Sequence, residues 1–104
     1  MIVLYGSTYV WRATLKDENG DAVLGADVLL TLLERSTLSQ VSGESWPVLM
    51  TPSSTVPGLY EYETVDAVVD ELAEGRLYLA VAEAELSGRR RYVRRPFTVR
   101  ADNV

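Results

Sequence analysis

Polar and apolar residues alternate along much of this chain with a period of two. Over residues 8–16, Tyr9, Trp11, Ala13 and Leu15 fall on one side and Val10, Arg12, Thr14 and Lys16 on the other, as in a half-buried strand with one wet face. Residues 59–64 repeat the pattern, Tyr60 and Tyr62 against Glu61 and Glu63. The segment 75–100 is read as the hairpin around which the rest packs. Residues 77–84 are almost continuously apolar, with Leu77, Leu79 and Val81 alternating against Tyr78, Ala80, Ala82 and Ala84. A strand apolar on both faces is central, or is covered on its second side by another surface. Ser87-Gly88 supplies the turn, because glycine takes the positive φ that hairpin turns demand.

The remaining elements follow from punctuation. Residues 1–5 form an apolar run broken by Gly6-Ser7, either a first strand or an N-terminal arm (1–6) reaching a neighbour. Asp17-Glu-Asn-Gly-Asp21 is a turn signal, with Asn19-Gly20 the favoured type I′ pair. A strand is expected over about 26–33, with Gly25 marking a bulge or corner, and a short edge strand over about 38–41. Residues 46–51 read as one strand, with Pro47 tolerated at its start or at an edge. Val65, Val68, Val69 and Leu72 have helical spacing, so a short helical turn is expected near 65–73. About seven short strands separated by turns give the fold class: all-β, an immunoglobulin-like antiparallel β-sandwich forming one domain over 1–104.

Composition narrows the chemistry. The 104 residues include no histidine and no cysteine, which removes the Ser-His and Cys-His nucleophile pairs, the commonest metal ligand and any disulfide framework. The net charge of −5 disfavours sequence-independent attraction to nucleic acid or anionic lipid. No signal-peptide pattern and no window near the length of a membrane span is present.

Several groups invite a chemical reading. Asp17-x-Asn19-x-Asp21 opens like a calcium loop, but the positions that need glycine and a distal carboxylate hold Ala22 and Val28. Asp66, Asp70, Glu71 and Glu74 cluster, yet clustered acids are more often a solvated face than a carboxylate pair in a cleft. Trp11, Trp46, Tyr60, Tyr78 and Phe97 are spread one per strand, as core anchors are; a carbohydrate platform would need several of them exposed together. Expectation therefore runs to no enzyme, no cofactor and no metal. The basic run is the most unusual feature: six of the ten basic residues lie between Arg89 and Arg100. Its arginines either pair across the sheet with acids such as Glu83 and Glu85 or form a protein-docking surface, and both readings outweigh nucleic acid in a net acidic domain. The candidate interface residues are Ile2, Leu4, Arg89, Arg90, Arg91, Tyr92, Arg94 and Arg95.

The order of motifs adds a resemblance over nearly the whole chain. A Trp/Tyr-bearing strand is followed by Leu15-Lys-Asp-Glu-Asn-Gly20, Gly25-Ala-Asp-Val28, Ser45-Trp-Pro-Val-Leu49, Pro57-Gly-Leu-Tyr60, Leu72-Ala-Glu-Gly-Arg-Leu-Tyr78 and Arg95-Pro-Phe-Thr-Val99. This resembles the small immunoglobulin-like proteins of tailed-bacteriophage virions, in head, neck, tail or baseplate, and is also similar to bacterial surface sandwich repeats. The resemblance implies a non-catalytic structural or adhesive part with no active-site residues to transfer. Surface repeats occur in tandem behind a signal peptide, and a chain starting at Met1 with neither is expected to be a virion component assembled in the host cytoplasm. Its expected partners are other virion proteins or copies of itself in a lattice. An adhesion or glycan-binding module is the alternative, and nucleic-acid contact through the arginine hairpin a weaker one.

Overall fold

A computed structural model of the chain describes residues 2–6, 9–73, 75–86 and 88–98. Eight strands and one helix follow in order: β1 (Ile2–Gly6), β2 (Val10–Leu15), β3 (Asp27–Glu34), β4 (Val48–Leu49), β5 (Thr51–Pro52), β6 (Leu59–Glu63), α1 (Asp66–Glu71), β7 (Leu77–Leu86) and β8 (Arg89–Thr98). They form two four-stranded antiparallel sheets, ordered β1-β2-β6-β5 and β4-β3-β7-β8. This is the immunoglobulin-type arrangement, with a four-strand layer against a three-strand layer that gains one extra edge strand.

The core lies between the inner faces. Trp11, Ala13 and Leu15 of β2 and Tyr60 of β6 meet Val28, Leu30 and Leu32 of β3 and Tyr78, Ala80, Ala82 and Ala84 of β7. Trp11 is fully buried, its ring edge-on to Phe97 at 4.8 Å, and Phe97 stacks on Tyr78 at 5.6 Å. Three small alanines on β7 leave depth for one large indole from the facing sheet, the large-against-small complementarity that close packing demands. Gly6 serves the same ring: a Cβ there would stand 2.7 Å from Trp11 Cε3 and 2.5 Å from the Val10 carbonyl oxygen.

Tyr78 also closes the helical connection. Its hydroxyl accepts a 2.8 Å hydrogen bond from the Ala73 amide, the tyrosine-corner geometry of immunoglobulin-like sandwiches, in which a tyrosine near the start of this strand ties down the chain just upstream. Position 80, two residues on, is an alanine where antibody domains carry a cysteine.

Four expectations need correction. Residues 46–51 are not one strand but two pairs of residues in different sheets, β4 on β3 and β5 on β6. Met50 between them is buried and its amide donates to the Val28 carbonyl at 2.7 Å, so the chain crosses from one layer to the other at that point. The edge strand at 38–41 reduces to a single bridge, Leu33 with Gln40, because Leu38 adopts φ 59° and breaks the extended run. The first residues are no free arm: β1 pairs along its length with β2, while Met1 lies outside the described residues. The 17–21 turn is not type I′, which needs positive φ at both central residues. Only Gly20, at φ 82°, is left-handed there. Its amide bonds to the Asp17 carbonyl at 3.0 Å, and the Asp17 carboxylate accepts from the Asn19 and Asp21 amides at 2.9 and 3.0 Å. That is the three-residue loop with glycine at its end, held by an aspartate that competes as a local acceptor.

Candidate docking edges

β7 and β8 pair over ten residues each, from Leu77 with Thr98 to Leu86 with Arg89. Gly88, at φ 78°, completes the turn; Ser87 lies outside the described residues. This register sorts the basic run onto two faces. Arg90, Tyr92 and Arg94 stand outward with Glu85, Glu83 and Val81 opposite, whereas Arg91, Val93, Arg95 and Phe97 share the core-facing side with Ala84, Ala82, Ala80 and Tyr78. Arg89 is placed by its backbone pairing alone, its side chain being outside the described set.

The two readings of the run divide between its members. Arg90 lies between the outward glutamates, its Nε 3.6 Å from Glu83 and 3.4 Å from Glu85, so it belongs to cross-strand pairing. Arg91, Arg94 and Arg95 have no carboxylate partner among the described residues. All three are exposed, and the Arg91 guanidinium donates to the Arg90 carbonyl at 3.1 Å. Tyr92 beside them is 61% exposed.

Of the two apolar candidates, Leu4 is not available to a neighbour. Its side chain, 2% exposed, belongs to the core, because alternation along β1 turns Ile2 and Leu4 inward and leaves Val3 and Tyr5 on the surface. Ile2 is half-buried against the core and helps line a cleft of about 180 Å³ with Leu15, Ala84, Glu85 and Arg91. That cleft opens where the start of β1 meets the β7–β8 turn. β1 lies against β8 along this side of the sandwich, so the basic run and the first strand form one continuous rim.

The other singled-out residues resolve more simply. Asp66, Asp70 and Glu71 are exposed on α1, and Glu74 is outside the described residues. Of the five aromatics, Trp11, Tyr60 and Tyr78 are buried, and half-buried Trp46 and Phe97 pack on the core. They form no exposed platform. Trp46 donates its indole N–H to the Val41 carbonyl at 2.6 Å and meets Tyr62 edge-on. The Tyr62 hydroxyl donates to Glu44 at 3.0 Å. Burial first, and that carboxylate second, push the phenol up to about 12, so it remains a neutral donor and the contact acts as a clasp between loop and sheet. Tyr60 likewise bridges backbone, donating to the Val23 carbonyl at 3.0 Å and accepting from the Ala26 amide at 3.3 Å. Among the described residues no helix is long and apolar enough to cross a membrane.

Sequence reasoning found the rim from its arginines but missed the contrast between its two strands, and missed Tyr78 as a corner. The spacing Tyr78-x-Ala80 held that second signal, disguised by the absent cysteine. Comparison of the chain with protein-family models, curated proteins and solved structures gave no match.

Proposed function

We propose that this chain is a non-catalytic structural protein of a phage virion that docks on neighbouring subunits through the rim formed by β1 and β8. The observation that carries the reading is the group of three exposed arginines, Arg91, Arg94 and Arg95, without acidic partners among the described residues. Arginine at a protein surface suits an interface, because its planar fork pairs with carboxylates and its stem covers apolar area. Modest contacts of this kind, repeated by the symmetry of a head or tail, add up to durable attachment without any single tight site. The motif order set out above supports placement in a virion. Mass spectrometry of particles purified from a lysate should find this chain at a fixed ratio to the major structural proteins. Its absence from washed particles refutes the reading.

A second reading has one observation in its favour. Tyr92 and Arg94 stand on the same outward face of a two-stranded ribbon, an arrangement that can lie along a nucleic-acid backbone with the ring against a base. The engagement of Arg90 with two glutamates and the chain's net charge of −5 count against it. It predicts steeply salt-dependent binding to DNA or RNA that Arg90→Glu with Arg94→Glu abolishes.

A further inference from the structure

Among the described residues four strands stand at sheet edges, and one of them has none of the extreme shortness, proline or charge that keeps the others to themselves. β4 and β5 are two residues long, with Pro47 just before the first and Pro52 within the second. β8 is long but carries arginines on both faces and a proline at 96. Shortness, proline and inward or outward charge are the means by which edges avoid recruiting foreign strands. β1, Ile-Val-Leu-Tyr-Gly, has five residues with no charge and no proline. Among the described residues no strand covers its outer side, and Val3 and Tyr5 extend an apolar surface beside it.

We propose that β1 is a strand-addition site, and that its occupant is an extended segment of another protein in which apolar and acidic residues alternate. The proposal rests on the docking reading above and names the partner chemistry for that rim. Charge selects the occupant. A strand added outside β1 runs along the rim that β1 shares with β8. Its inward side chains then face the core-side row of β8, where Arg91 and Arg95 stand opposite Ala84 and Ala80. Glutamate or aspartate at alternate positions supplies the carboxylates those two arginines lack among the described residues. A second copy of this chain does not: antiparallel pairing of β1 with β1 also sets the two β8 edges side by side, arginine against arginine. Backbone hydrogen bonds to β1 give the affinity and the arginines give the choice, as in other cases of added strands.

Three synthetic peptides of about ten residues, the upper end of common strand lengths, test this on the intact chain. One alternates valine with glutamate, one alternates valine with lysine, and the third is the glutamate peptide N-methylated at every second residue. Fluorescence anisotropy at low salt should show saturable binding of the glutamate peptide only. Arg91→Glu with Arg95→Glu should weaken it roughly tenfold or more, the scale expected for losing and reversing two rim charges. The milder pair Arg91→Gln with Arg95→Gln should weaken it less. Hydrogen exchange should show new protection of β1 amides in the complex and none at β4 or β5. Equal binding of the lysine peptide, or no binding at millimolar peptide with unchanged exchange at β1, overturns the proposal. So does a dimer in sedimentation velocity whose formation protects β1, because the occupant is then a second copy. Peptide binding and presence in particles are separate readouts, so either reading can fail alone.

Discussion

β1 and β8 lie side by side on one rim of the sandwich yet solve the edge problem in opposite ways. β8 is ten residues long, pairs with β7 throughout and is anchored from inside by half-buried Val93 and Phe97. Its surplus arginines keep the exposed side in water. β1 is half that length, uncharged, and anchored by one fully buried side chain, Leu4. An edge can thus be held either by many partial contacts with a charged fringe or by a single deep anchor with a bare fringe. The first arrangement resists strange strands and attracts carboxylates, whereas the second invites a strand.

The largest expected effect is on the single anchor. Leu4→Ala should cost about 2–3 kcal/mol, the lower part of the range for core leucines because an edge site can relax. At about 4–8 °C per kcal/mol for a domain of this size, the melting temperature falls visibly. Exchange should accelerate at the β2 amides that face β1, and β8 should keep its protection. Uniform loss of protection across both edges would show that β1 and β8 do not act independently.

Next comes Gly6→Ala, which forces a methyl to within 2.5–2.8 Å of the Val10 carbonyl and the Trp11 side chain and backbone. Overpacking of this kind costs about 1–3 kcal/mol, and near-ultraviolet circular dichroism should report the displaced indole. An unchanged spectrum and melting temperature would mean that β1 shifts freely and contributes little to holding Trp11.

The smallest effect distinguishes the arginines. Arg90→Ala removes contacts to Glu83 and Glu85, and Arg94→Ala removes none seen among the described residues. Chemical denaturation should show a small loss for the first, because exposed pairs are screened by solvent, and no resolvable loss for the second, as for surface substitutions away from special features. Equal losses would erase the division between structural and free arginines.

How much could be read from the chain alone is clearest at particular residues. The alternation at 8–16 and 59–64 and the doubly apolar run at 77–84 identified β2, β6 and β7, since burial with period two writes itself into consecutive residues. The 65–73 helix was visible in the spacing of Val65, Val68, Val69 and Leu72, although the helix proper spans only Asp66–Glu71. Two things were hidden. One was the change of layer at Met50, since a strand that leaves one sheet for the other has the same local pattern as one that stays. The other was the fate of each arginine, because neighbours in sequence point to opposite faces and only the register with β7 says which meets a glutamate.

Local alternation, turn chemistry and the absence of histidine and cysteine are properties of short stretches or of composition, so they already specify an all-β chain of short strands with a basic final hairpin. Which strands end up at edges, that Leu4 turns into the core, and that Arg91, Arg94 and Arg95 are left without partners among the described residues depend on pairings between distant residues. Those pairings were decided only when two sheets closed around Trp11, since burial of the shared core selects one register and strand order among many that local patterns allow.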